Sequence, residues 1–323
     1  MHEKELRHVN TSNRNCAKAE QSSSTLHDLS ILACYVAALF HLAEVPAVAE
    51  PVVSTINDAV TELRTAGVAI KWNERRNGWD VTGLAPYNTL FGDGQLKAYR
   101  EEATSNARRF GGTLKKVGAI SELQLAAAFF LDDTDIREIF RSVDASRLGI
   151  LSVAGNGITD KSATIFSGIE NLHILEMSET AATHILVKEV LSLKHLGDLR
   201  LRRMKLGASV LPDIIRRRNV RKVVLDYTDV GDADFASAFS DSVLSHVSLR
   251  GTKVSDKSAK AIGSLGEVVE LDISETSLSD MCVLEIARLK KLRLLVVRGS
   301  GITSSGKKVL RGLLPECRLV EEE

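Results

Sequence analysis

The chain has 323 residues, 44% of them apolar, with 42 basic side chains balanced by 42 acidic ones. That length holds one large domain or two smaller ones, and the apolar share excludes a generally disordered chain. Zero formal charge excludes a surface basic throughout but allows a local basic patch, and 5% aromatics is low for binding through stacked rings.

Residues 1–25 are polar and read as disordered. An apolar run follows, Leu29 to Phe40, too short for a bilayer span of ~20 residues. Pro46 and then Ala47-Val48-Ala49 precede Glu50, the layout of a secretory signal peptide cleaved before Glu50. The leading region is long and carries Glu3, Glu5, Glu20 and Asp28, and His41 and Glu44 interrupt the apolar tail. A buried amphipathic helix is therefore the competing reading. Residues 1–49 are taken as leader and signal peptide, with export to the periplasm or outside the cell; the alternative is a cytoplasmic chain. Cys16, Cys34, Cys282 and Cys317 have no CxxC spacing, so neither zinc nor a disulfide framework is expected.

Residues 50–119 read as an N-terminal cap and a degenerate coil. Asn57 to Ala66 has helical spacing, with Gly67 as its stop. Two strands flank Asn77-Gly78, a hairpin signal, and Trp72 and Trp79 within them are expected to seal the end of a core. Residues 94–109 predict a charged helix that Gly111-Gly112 breaks.

From residue 120 to 323 one phrase returns. Leu151, Leu175, Leu199, Val223, Val247, Leu271, Leu295 and Leu319 stand 24 residues apart, and Leu123 lies 28 before the first. With each taken as position zero, positions two, seven, fifteen and twenty-one are apolar columns. Positions zero and two alternate across a short strand. Position five is Asn156, Thr180, Thr228, Thr252, Thr276 or Ser300, small oxygen-bearing residues suited to a turn. Positions eight and nine, usually Thr or Ser and then Asp (Asp132, Asp160, Asp232, Asp256, Asp280), predict a capped helix start. A unit of strand, turn and helix cannot bury its apolar edges alone, whereas a stack of such units can.

The phrases Leu172-x-x-Leu175-x-Met177-x-x-Thr180 and Val268-x-x-Leu271-x-Ile273-x-x-Thr276, with Gly251–Asp256 (GTKVSD), resemble the leucine-rich repeat family, in particular the bacterial, planctomycete-type proteins with 24-residue GTKVTD-like repeats. Thr mostly replaces the family's Asn. The resemblance implies an α/β leucine-rich repeat solenoid (horseshoe): a parallel concave sheet, convex helices and an N-terminal helix–hairpin cap. It also implies a binding or scaffold role; separately, the sequence holds no catalytic constellation, so neither enzymatic activity nor a cofactor is expected.

Alternation places positions minus one, one and three, with four at the strand end, on the sheet face away from the core. The candidate binding residues there are Arg200, Arg202, Arg203, Asp226, Tyr227, Arg250, Asp272, Glu275 and Arg298. Arg250 and Arg298 are expected to flank Asp272 diagonally. Nine bases between Arg200 and Lys222, opposed in that window by Asp213 alone, suggest a positive band. Arg217 in that band falls in an apolar column. His173, His184, His195 and His246 occupy different repeat positions and are not expected to converge. No nucleophile, phosphate-loop or dinucleotide motif appears. The sequence thus predicts a monomeric protein-interaction module with an unidentified protein partner. The alternative is an adaptor for an anionic ligand (acidic protein, glycan or nucleic acid) through the Arg200–Lys222 band.

Overall fold

The computed structural model describes residues 50–65, 68–82, 96–125, 131–207, 210–236, 239 and 241–321. The leader with its cleavage motif, Cys16, Cys34 and Phe130 lie outside them. The chain divides into two compact units, Met1–Ser54 and Thr55–Glu323. No helix among the described residues is long and apolar enough to cross a membrane.

The second unit begins within helix α1 (Glu50–Thr65), whose Ala59, Val60 and Leu63 are buried. Strands β1 (Ala69–Asn73) and β2 (Gly78–Thr82) form the expected antiparallel hairpin. Its turn is Glu74–Asn77, with Asn77 left-handed at φ 49°, while Gly78 belongs to the strand rather than to a two-residue Asn-Gly turn. Gly78 lies so close to the next strand that a Cβ there would meet that of Ser121 at 2.9 Å. Trp72 and Trp79 pair across the hairpin edge to face, 5.4 Å between centroids. Trp79 is buried and Trp72 half-buried, as a seal over the core requires.

Helix α2 spans Leu96–Val117 and returns the chain to β3 (Ile120–Gln124), which pairs parallel to β2. This corrects the expected break at Gly111-Gly112. Helix α3 (Asp133–Phe140) packs across α2, and a Cβ on Gly111 would stand 2.8 Å from the Ile139 carbonyl oxygen. Gly111 is there to let two helix backbones approach, a tertiary reason invisible in one helix.

From β3 the coils stack as predicted. Strands β4 (Ile150–Ser152), β5 (Ile174–Glu176), β6 (Asp198–Arg200), β7 (Lys222–Val224), β8 (His246–Ser248), β9 (Glu270–Asp272), β10 (Leu294–Val296) and β11 (Arg318–Val320) join β1–β3 in one 11-stranded sheet in chain order. All pairings after β2 are parallel. The register sets Leu151 beside Leu175, Leu199 beside Val223 and Leu271 beside Leu295, so the 24-residue period is the inter-strand register itself. Short helices α4 (Ala163–Ser167), α5 (His184–Val190), α6 (Val210–Arg216), α7 (Ala259–Ile262), α8 (Val283–Ile286) and α9 (Ser304–Leu313), several prefaced by one 3-10 turn, and between β7 and β8 a 3-10 turn at Asp232–Phe235, return the chain behind the sheet. The described members of the apolar columns at positions two, seven, fifteen and twenty-one are buried from β4 to β10. This is an α/β leucine-rich repeat solenoid.

Two sequence signals acquire a mechanism. Hydroxyls of Thr228, Thr252 and Thr276 each donate to the carbonyl three residues back (2.6–2.7 Å), closing the turn after the strand. Thr180 instead contacts Met204 Sδ. The aspartates at position nine do more than favour their own helix start: Asp160 accepts from the Thr183 amide and hydroxyl in the next coil, Asp256 from Ser279, and Asp280 from Thr303. Each carboxylate thus ties one coil to its successor, while the hydroxyl residue caps the helical turn through an amide two or three residues on. In the first repeat Asp132 is the cap, and Asp133 provides the tie to Thr159 and Ser162.

Candidate functional site

The sheet residues that flank position zero are mostly half-exposed and lie on the face away from the core. The chain leaves each strand at position four in the left-handed region: Gly155, Glu179, Arg203, Tyr227, Gly251, Glu275 and Gly299 all have φ between 54° and 71°. Glycine adopts this conformation freely, whereas other L residues resist it by roughly 1 kcal/mol. Four coils therefore hold large side chains where the backbone favours none, and the row forms a ridge along the strand ends. The clue in the sequence is Gly at position four in the remaining coils.

The ridge is cross-linked along its length. Arg203 Nη1 donates to Glu179 (3.2 Å), and its guanidinium lies 5.4 Å from the Tyr227 ring centre. The Tyr227 ring lies across Gly251, where a Cβ would overlap ring carbons. Its hydroxyl reaches over that coil to donate to Glu275 Oε2 (2.9 Å). Glu275 Oε1 accepts from Nε and Nη2 of Arg250 (2.9 and 2.5 Å), and the Arg250 guanidinium stands 5.7 Å from the Tyr227 ring centre. Two cations thus stand against the ring, which remains 37% exposed. Donation to Glu275 holds the phenol pKa above its usual range; the Arg250 and Tyr227 hydrogen bonds hold the Glu275 carboxyl below its own. Both groups keep these charge states at neutral pH.

Below the ridge, Arg202 donates to Asp226 (3.1 Å), which is only 8% exposed and also accepts from the Ser248 hydroxyl. Arg200 is held by Asp198 (2.8 Å) and Glu176 (3.4 Å). The expected flanking of Asp272 by two arginines does not form ion pairs: Arg250 turns to Glu275, and Asp272 Oδ1 accepts from the Ser274 amide (2.8 Å).

The basic band is divided and partly neutralised. Arg200, Arg202 and Arg203 lie on the sheet face, paired with acids outside their window; Arg216 pairs with Asp213 and Lys222 with Asp198. Arg217 and Arg218 follow α6 on the opposite side of the coil, and Arg217 is exposed rather than set in the apolar column. Acids one coil away in space are 24 or so residues away in sequence, so a sequence window misses them.

Two histidines do meet: the His173 and His195 rings stack at 5.6 Å. No cluster of three metal-binding side chains accompanies them among the described residues. A depression of about 500 Å³ is lined by Arg76, Arg147, Asn171 and His173. Its cations are already engaged, Arg76 with Asp80 and Glu122, and Arg147 with the Asn77 carbonyl. Burial pushes the Cys282 thiol up to about 12, an unreactive group in the core. Cys317, just before β11, is half-buried.

No family model matches the chain, and no curated protein matches it. Among solved structures it is similar to internalin C2 from Listeria monocytogenes, with 16% identity, a TM-score of 0.44, and coverage of 74% of this chain and 97% of that one. It is also similar to a leucine-rich repeat protein from Leptospira interrogans, with 16% identity, a TM-score of 0.42, and coverage of 64% and 62%.

Proposed function

We propose that this protein is a non-enzymatic interaction module that receives a protein partner on the outer face of its sheet, with Tyr227 as the central anchor. The ridge carries the proposal. An aromatic ring held by its hydroxyl's bond to Glu275 and by two neighbouring arginines loses little further freedom on binding, and Tyr and Arg are the residue types on which interfaces most depend. Position-four strain is tolerated in four coils with no benefit to core packing. The test is capture by photo-crosslinking. Proteins captured by the wild type should be lost with Tyr227→Ala and Arg203→Glu together and retained with Met281→Lys on the helix side. Equal capture by all three forms would rule out the face.

An anionic ligand on the Arg200–Lys222 band has less support, because five of its nine cations already pair with acids. Export remains part of the proposal on the strength of the leader motif, as does kinship with the bacterial 24-residue repeat proteins on the GTKVSD phrase. N-terminal sequencing of the native protein is expected to begin at Glu50; a chain starting at Met1 would remove export.

A further inference from the structure

The helix side of the last coils departs from the repeat. Positions ten and thirteen face solvent and carry polar side chains in three other coils: Lys161 with Thr164, Lys257 with Lys260, and Ser305 with Lys308. In the coil of β9 both are large and apolar, with Met281 80% exposed and Leu284 70%. Three residues apart on one helical turn, these side chains lie side by side. One coil on, Val309 (46%) and Leu313 (42%) stand exposed on one face of α9. Four of the six large hydrophobic side chains exposed among the described residues thus fall on two neighbouring helical segments, a clustering that scattered surface residues do not show.

Lysines border the cluster. Helix α8 packs against α7 and α9, so closely that a Cβ on Gly263 would overlap the Glu285 carbonyl oxygen. Lys257 and Lys260 therefore stand on one flank of the Met281–Leu284 pair and Lys308 on the other, each about 8–10 Å away, one helix spacing. None of the three forms an ion pair among the described residues, although Asp232 one coil back attracts Lys257. The acids nearby are bound elsewhere. Asp232, Asp256 and Asp280 accept from Ser255, Ser279 and Thr303 of the following coils, Glu285 pairs with Arg288, and Glu321 with Lys307 and Arg311. What this side offers to solvent is apolar tips bordered by free amines.

We propose that this patch docks the protein on an anionic membrane surface. Met281, Leu284, Val309 and Leu313 enter the boundary between headgroups and acyl chains, and Lys257, Lys260 and Lys308 meet the lipid phosphates. Exposure decides between this and an acidic amphipathic helix of a protein partner. A bound helix lies in a groove, whose walls shield the residues that line it. Side chains 80% and 70% exposed stand proud of the surface and suit a flat, deformable layer. The unbranched Met281 adapts readily to such a layer. The patch lies on the helix side of its coils and Tyr227 on the sheet face, so a membrane-bound molecule keeps that face free. The two readings stand or fall separately.

The test is co-sedimentation of the full chain with vesicles of equal parts phosphatidylglycerol and phosphatidylcholine, and with phosphatidylcholine alone. The anionic vesicles are expected to take up the protein about tenfold or more better than the neutral ones. Met281→Ser with Leu284→Ser should weaken uptake about tenfold, and Lys260→Ala and Lys308→Ala about fivefold each. All four side chains are exposed, so melting temperatures should stay within about 2 °C of the wild type. The apolar run Leu29–Phe40 is a second route to lipid: uptake that these variants leave unchanged belongs to it and overturns the patch. Equal uptake by both vesicle types would also overturn it. So would binding of an acidic amphipathic peptide of Glu-Leu-Leu-Glu repeats, abolished by the serine pair, without uptake by vesicles. Tyr227→Ala should leave vesicle uptake unchanged; a loss there would place lipid on the sheet face instead.

Discussion

Leu271→Arg is expected to abolish the cooperative melting transition of the C-terminal coils. Leu271 is 1% exposed and stands in register between Val247 and Leu295. The substitution forfeits the leucine's burial, roughly 2 kcal/mol, and places a guanidinium where burying an unpaired charge costs several more. The sum is comparable with the roughly 5–15 kcal/mol that holds a typical domain together. A stack of coils is stabilised mainly by nearest-neighbour contacts, so failure in one column separates the coils on either side. Circular dichroism should show lost helical signal at 37 °C, and hydrogen exchange should be fastest from β8 to β10. Glu270→Arg is the control: that side chain is exposed on the other face and should change stability by about 0.5 kcal/mol or less. An unchanged melt for Leu271→Arg would mean that the register is wrong.

Gly111→Ala and Gly112→Ala should move stability in opposite directions. Both lie within α2, where alanine is favoured over glycine by about 1 kcal/mol. At Gly112 a Cβ meets nothing within 4 Å, so that gain should appear in full as a higher urea midpoint. At Gly111 it would meet the Ile139 carbonyl oxygen at 2.8 Å and Ile139 Cα at 2.9 Å. Backbone cannot rotate aside as a side chain can, so α2 and α3 must separate, with an overpacking cost of about 1–3 kcal/mol that outweighs the propensity gain. Two stabilising substitutions would show that the glycines do no more than weaken the helix.

The two predictions probe different kinds of information. Leu271 was identifiable as core because a 24-residue period repeats a complete local rule: alternation for the strand, a hydroxyl for the turn, an aspartate near the helix start. Gly111 was misread as a breaker because its role depends on α3, more than twenty residues away, and no local rule contains it. Position-nine aspartates fall between. The sequence placed them correctly at the helix start, but their bonds run to the next coil, and only stacking supplies that neighbour.

The candidate site divides the same way. Period and alternation alone assigned Arg200, Arg202, Asp226, Arg250, Asp272 and Arg298 to one face, because which side of a strand a residue faces is set by its parity within the repeat. Which of them are satisfied was a tertiary matter. Arg250 chooses Glu275 over Asp272, Tyr227 crosses Gly251, and the Arg298 Nε and the Ser274 hydroxyl are buried without a hydrogen-bond partner, because side-chain reach and backbone twist decide pairings among neighbouring acids and bases. The sequence by itself therefore determined the coil, its register and its core, all consequences of a repeating local pattern. The tertiary structure alone decided the helix contact at Gly111, the tyrosine lying across Gly251 and the pairing of the arginines, since each depends on distances between residues in different coils.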